Sequence, residues 1–387
     1  MPQQTVLDAE QLASFKSHAV GKQTPFLLFD LGLLQKKYHE LETSFPYASI
    51  YYAVKANPEA AIIEKLRDLG SNFDIASIYE LDKVMALGVT ADRVSFGNTI
   101  KNANIIKYVY DKGVRMFASD CESDIRNLAA CAPGSKVFLR ILTEGSETAD
   151  WPLSKKFGCQ SDLAVELMVL AKNLGLDPYG ISFHVGSQQR DISAWDAALA
   201  KVKFISDRLE TQAISLRMIN IGGGFPAVYG ALSHDLPTYG QIIKRFIDED
   251  FGDKQPLIII EPGRALVAEA GVLVSEVMMV SRKSRDALQR WVYLDVGLFG
   301  GLIETLGEAI KYPLVCDHDG PSVQDVILAG PTCDSMDIMY EDNLYSLPVD
   351  LREGDRLYWL STGAYTTSYC SVEFNGFPPL KLYTING

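Results

Sequence analysis

The chain has 387 residues, 47% hydrophobic and 22% charged, which is apolar enough to bury more than one core and too apolar for a disordered chain. A formal net charge of −13 argues against nucleic acid or an anionic membrane as partner, because either selects clustered Lys and Arg; it is compatible with a cationic small molecule. No positively charged start leads into an apolar stretch and no run approaches the length of a membrane span, so a cytoplasmic protein is expected.

After TPFLLFDLG, short apolar runs recur every few tens of residues: SIYYAVK, NFDIAS, RVSFGN, RMFASD, KVFLRI, GISFHVG, MINIGGG and LIIIEPG. Helical patterns fill the gaps. PEAAIIEKLRDLG puts Ile62, Ile63, Leu66 and Leu69 on one face, with Pro58 in the first turn and Gly70 as its stop, and IYELDKVMALGV and VELMVLAKNLGLDP repeat the logic. Alternating strands and helices imply a parallel sheet, and eight such units imply a closed (β/α)8 barrel, with a doubly wound open sheet as the alternative. The polar residues favour the barrel. Lys55, Asp74, Asn98, Asp120, Arg140, His184, Gly222 to Gly224 and Glu261 each fall at or just past the end of a different run, and a barrel gathers such ends around one mouth.

Beyond Arg264 the rhythm changes. GVLVSEVMMVSRKS, RWVYLDVG, VQDVILAG, DRLYWLST and LKLYTI read as β segments joined by Gly, Asp and Pro turns. The expected organisation is a barrel over 26–271 and a mainly β C-terminal domain made of 272–387 together with 1–25. The six cysteines form no C-x-x-C pair, which speaks against a zinc cluster and a disulfide scaffold, and CDHD at 316–319, beside Gly-Pro, reads as an exposed loop. No metal is expected.

The barrel mouth defines the chemistry. Lys55 is a single amine at a strand end, whose ordinary reading is an apolar stem with its ammonium in water. GGGFP lets backbone N–H groups approach an anion without side-chain obstruction, and Ser187 of HVGSQ and Arg264 of EPGR also suit a phosphate. An amine beside a phosphate cradle suggests a carbonyl cofactor that carries a phosphate, namely pyridoxal 5'-phosphate held as a Schiff base on Lys55. Glu261 then faces the pyridine nitrogen and His184 lies on the ring face. Taken singly, Glu261 reads as a helix-start carboxylate and His184 as a core histidine; together with the lysine they do not.

These motifs resemble the ornithine decarboxylase family of barrel-type, alanine racemase-like (fold type III) pyridoxal-phosphate enzymes. YYAVKAN at 51, FDIAS with Glu80, HVGSQ at 184, GGGFP at 222, EPGR at 261, GPTCDSMD at 330, GAYT at 363 and FNGF at 374 run in the family's order over nearly the whole chain. The resemblance implies that Lys55 bonds the cofactor, His184 stacks on it, and Ser187, Gly222, Gly223, Gly224, Arg264 and Tyr365 hold its phosphate. It further implies Glu261 at the pyridinium, with Asp74 and Arg140 close by. Cys333 and Asp334 are implied to reach the partner subunit's site, which makes the functional unit a homodimer with shared sites. Lys156 and Asp337 match a pair that bridges subunits beside a mobile loop, here about 143–155.

Differences among relatives narrow the reaction. Alanine racemases place an arginine against the pyridine nitrogen, whereas Glu261 strengthens the electron sink and suits decarboxylation. Cys-Asp in place of the Cys-Glu-Ser of diaminopimelate decarboxylases suits a distal ammonium. The resemblance thus implies decarboxylation of a basic L-amino acid, ornithine to putrescine first and lysine to cadaverine second, with Cys333 protonating Cα and Asp334 holding the distal ammonium. Phe374 of FNGF is a further substrate-side candidate. An ungapped alignment of FGGLIETLGEAI puts Glu308 at the family's specificity aspartate and Gly307 at an aromatic position, with Glu304 one turn earlier as its competitor. A racemase and a cofactor-free regulator are the readings from other classes.

Overall fold

A computed structural model describes residues 6–144, 148–152, 155–230, 233–317, 320 and 322–369. Eight parallel strands close a barrel: β2 (Ala48–Ala53), β3 (Asn72–Ile75), β4 (Val94–Phe96), β5 (Met116–Ser119), β6 (Lys136–Arg140), β8 (Asp177–Ser182), β10 (Met218–Asn220) and β11 (Leu257–Ile260). Each overlaps one of the eight expected runs. Closure is made where Ile258 pairs with Ala48, which excludes the open sheet. Strand alternation then sorts the side chains into two layers. Tyr51, Ala118, Phe138, Met218 and Ile259 fill the barrel interior, while Tyr52, Phe73, Phe117 and Ile258 face the helices.

The helix over Ala60–Asp68 buries Ile62, Ile63 and Leu66 and stops at Gly70, whose φ of 95° is open to glycine at little cost. Pro58 stands just before the N-cap Glu59 rather than in the first turn.

The second sheet contains β12 (Gly271–Ser281), β13 (Arg290–Leu294), β14 (Leu314–Cys316), β15 (Val323–Ala329), β16 (Ile338–Pro348) and β17 (Arg356–Leu360). The first half of β12 pairs with β17 and its last residues with β13, with a register shift between Val277 and Met279 where the strand changes partner. Phe26–Phe29 (β1), assigned from sequence to the barrel, instead pairs antiparallel with Gly271–Val274 and completes this sheet. The helix Ala9–Ala19 packs nearby, since Leu7, Phe15 and Ala19 form one cluster with Val272, Val274, Tyr358 and Leu360.

LKLYTI lies outside the described residues, as do Asp319 and His318 of CDHD. Among the described residues, no three His, Cys, Asp or Glu side chains group as a metal site, and no helix is long and apolar enough to cross a membrane.

Candidate active site

The barrel brings the strand-end residues into one narrow cavity. Its walls include Lys55, His184, Ser187, Gly223, Gly224, Glu261, Arg264 and Tyr365. Lys55 sits in a one-turn 3-10 helix, Val54–Ala56, that ends β2. That turn is clamped from the second domain, because Tyr365 N–H donates to the Ala56 carbonyl at 2.9 Å and Ser368 Oγ donates to the Lys55 carbonyl at 3.0 Å. Asn57 Nδ2 donates to the Gly363 carbonyl at 2.8 Å and holds the same junction.

Glu261 follows β11, with its N–H on the Gly222 carbonyl at 2.8 Å. Asn220 at the end of β10 aims the carboxylate: its Nδ2 donates to Glu261 Oε1, while its Oδ1 accepts Gly222 N–H at 2.9 Å. Sequence reasoning passed over Asn220, although it ends a barrel run just as the chosen residues do.

The glycine triplet is required by space as well as by conformation. A Cβ on Gly222, Gly223 or Gly224 would overlap the carbonyl oxygen of Phe183, Glu261 or Gly186 respectively, and Gly222 and Gly224 have φ of 68° and 97°. Ser187 begins a short strand, β9 (Ser187–Gln189), that pairs antiparallel with β7 (Ala149–Trp151). The stretch expected to be a mobile loop therefore contains a paired strand, which Thr148 Oγ1 ties to Gln189 Oε1 at 2.9 Å.

Charges inside the mouth act on one another. Burial, then Arg140 and Lys55, push the His184 imidazole well below its ordinary value, so the ring is neutral, and its Nδ1 accepts Gly186 N–H at 3.2 Å. Burial, helped by Glu261, raises the Asp74 carboxyl well above the usual range, against the opposing pull of Lys55 and Arg140. Burial lowers Arg140 against the pull of Glu261 and Asp74. Asp74 Oδ1 is buried with no hydrogen-bond partner among the described residues. A buried acceptor left open beside a lysine and a bare glycine cradle fits a bound group that brings a phosphate and a further donor.

Four further residues singled out from the sequence do not line this cavity. Cys333 and Asp334 are exposed on the turn after β15 and do not line this cavity. Asp337, expected to bridge subunits, is buried and used within its own chain: Oδ1 accepts Leu298 N–H at 2.8 Å, and Oδ2 accepts the N–H and hydroxyl of Thr332 at 3.0 and 2.7 Å. Glu308, expected at the substrate, accepts N–H bonds from Glu341, Asp342 and Asn343 at 2.7 to 2.8 Å and so caps the middle of β16. The cause is local: Gly307 and Glu308 take φ of 60° and 54°, and this left-handed pair turns the carboxylate onto the hairpin backbone. Against partial burial, a bond from the Asn343 side-chain amide together with those N–H bonds holds its pKa below the ordinary glutamate value. Glu304, the competitor, is paired with Arg264. Phe374 lies outside the described residues.

A closed barrel with a lysine, a carboxylate, a neutral histidine and an anion cradle at one mouth is the architecture of a pyridoxal-phosphate enzyme. Residues 31–268 match the family model for the pyridoxal binding domain of pyridoxal-dependent decarboxylases. The lysine/ornithine decarboxylase of Selenomonas ruminantium is 34% identical over 355 residues, covering 92% of this chain and 88% of that protein. The ornithine decarboxylase of Schizosaccharomyces pombe is 31% identical over 367 residues, covering 92% and 82%. Among solved structures, lysine/ornithine decarboxylase from Vibrio vulnificus complexed with cadaverine superposes with a TM-score of 0.85 at 27% identity, covering 98% of this chain and all (100%) of that one. The chain belongs to the pyridoxal-dependent decarboxylase family.

Proposed function

We propose that this protein decarboxylates a basic L-amino acid with pyridoxal phosphate, taking ornithine first and lysine second, as a homodimer whose two sites are shared between subunits. The observation that carries this reading is the single cavity that gathers Lys55, Glu261, His184 and the Gly223–Gly224 cradle. Bound pyridoxal phosphate supplies the electron sink for the carbanion left when carbon dioxide departs.

The chain's own groups do the rest. Lys55 provides the amine that anchors the cofactor and later releases the product. Glu261, aimed by Asn220, holds a proton at the pyridine nitrogen. His184 is neutral and presents an uncharged ring, so it adds no positive charge beside that nitrogen. Gly223, Gly224, Ser187 and Arg264 supply the phosphate donors, and Gly222 gives the cradle its shape. Cys333 of the second subunit donates a proton to Cα, and Asp334 beside it receives the distal ammonium.

The order of substrates rests on relatives, several of which are ornithine decarboxylases, while the Selenomonas protein is named for lysine and ornithine together. Lysine is supported separately by the cadaverine-bound Vibrio structure. Borohydride reduction of the purified protein should fix pyridoxal on Lys55, and a panel of basic amino acids should yield putrescine and cadaverine. Label on another lysine, or products only from acidic or neutral amino acids, would refute the assignment.

A further inference from the structure

Among the described residues, Arg264 is the one cation that lines the phosphate cradle, apart from Lys55 itself. It is buried, and most of its N–H donors are already committed. Nε donates to Ser187 Oγ at 3.2 Å, and Nη1 donates to Tyr229 Oη at 3.0 Å and to Glu304 Oε2 at 2.7 Å. Nη2 donates to Glu304 Oε1 at 2.5 Å. This two-pronged pair fixes the plane of the guanidinium as well as its position.

Glu304 belongs to the segment between β13 and β14, so the pair joins the second domain to the barrel mouth. Tyr312 Oη donates to Glu304 Oε2 at 3.4 Å, and its ring meets Tyr229 edge-on at 5.4 Å. Arginine and glutamate side chains are each 3% exposed. Only Arg264 lines the cavity; Glu304 stands behind it. A carboxylate in that position adds negative charge near an anion site, which is unfavourable unless its task is to aim the arginine.

We propose that Glu304 is a positioning residue for phosphate recognition: it holds the Arg264 guanidinium with its Nε edge at Ser187, so the cradle meets the cofactor's phosphate with its donors already placed. The inference rests on the pyridoxal-phosphate reading of the site. Glu304→Gln keeps the size of the side chain but turns one acceptor into an N–H donor facing Nη, so the guanidinium must rotate away from Ser187. The loss of orientation outweighs the gain from removing a charge, because breaking a buried, hydrogen-bonded ion pair is among the costlier single changes.

The test compares two ligands on cofactor-stripped protein, followed by the visible absorbance of the lysine adduct. Pyridoxal phosphate carries the group that Arg264 reads, and pyridoxal lacks it. Glu304→Gln should weaken pyridoxal phosphate by roughly tenfold or more and pyridoxal by less than about twofold, and inorganic phosphate should lose its power to compete. Tyr312→Phe removes only the hydroxyl on Oε2 and should shift the same ratio in the same direction by about two- to threefold; it carries the comparison if Glu304→Gln does not fold.

Equal losses for the two ligands would make Glu304 a general structural residue and overturn the proposal. Tighter binding of pyridoxal phosphate would overturn it too, by showing that charge outweighs aim. An unchanged ratio with a raised KM for ornithine or lysine would make Glu304 a substrate contact. Wild-type protein that binds neither ligand would instead bring down the cofactor reading on which the inference stands.

Discussion

Cys333 is exposed and lies off the cavity that holds Lys55, so a single chain cannot bring the two together in this arrangement. In the proposed two-fold dimer each site would take Lys55 from one subunit and Cys333 from the other, so Lys55→Ala and Cys333→Ala homodimers should each form almost no diamine. A mixed dimer carries both lesions at one site and none at the other. Random reassociation of equal amounts makes half of the dimers mixed, each with one competent site of two, and recovered activity should approach about a quarter of wild type. The assay is release of putrescine or cadaverine before and after subunit exchange, with exchange itself followed by a tag on one variant. Recovery should be absent on cold mixing and appear with exchange. If mixed dimers are shown to form and diamine production stays at the level of the single variants, Cys333 serves its own subunit or no site at all, and shared sites are refuted.

Glu308→Ala should leave kcat/KM for ornithine and lysine within about twofold while lowering stability by about 1 to 2 kcal/mol, because it removes the acceptor for three β16 amides that are partly solvated; a loss of kcat/KM at unchanged melting temperature would return Glu308 to the substrate site. His184 sets a pH dependence in the cofactor-free protein. Its folded pKa lies well below the ordinary 6.5, so between the two values the unfolded chain binds more protons, and the stabilisation present above about 6.5 is lost as pH falls through that window. Melting curves from pH 7.5 downward should therefore be flatter for His184→Gln than for wild type, by at most about 1.4 kcal/mol per pH unit, and identical slopes would show that the ring is not held neutral by the fold.

The barrel was legible because its signal is local and repeated. Most runs carry a polar residue at or just past their end, and the unbroken apolar run of β2 or β11 reports burial on both faces without knowledge of any partner strand. What failed was long-range. Phe26–Phe29 falls inside the span assigned to the barrel, but its partner Gly271–Val274 is distant in sequence, and nothing in four hydrophobic residues says which sheet they join. β16 was missed because Glu341, Asp342 and Asn343 interrupt its pattern with residues that strands disfavour. Their amides are held by Glu308, a bond that no periodicity reports.

The site divides along the same line. Lys55, His184, Gly223, Gly224 and Glu261 could be placed because strand ends of a barrel converge, whatever the details of packing. Glu308 was misplaced because an alignment fixes order and not direction, and one glycine at φ 60° reverses where the next side chain points. GPTCDSMD shows a third case. Gly330 and Gly297 are bare because a Cβ on either would overlap the Asp337 carboxylate, and that carboxylate binds Leu298 N–H and Thr332. The aspartate read as a bridge to another subunit thus spends its oxygens holding the Cys333–Asp334 turn in shape within its own chain. A turn already ordered before association loses less freedom when it docks, so the two residues that a second subunit would receive arrive positioned rather than searching. The glycines and Asp337 make that presentation possible, and Asp334 adds to it: its Oδ1 accepts Met336 N–H at 2.9 Å while the residue, like Cys333, stays exposed.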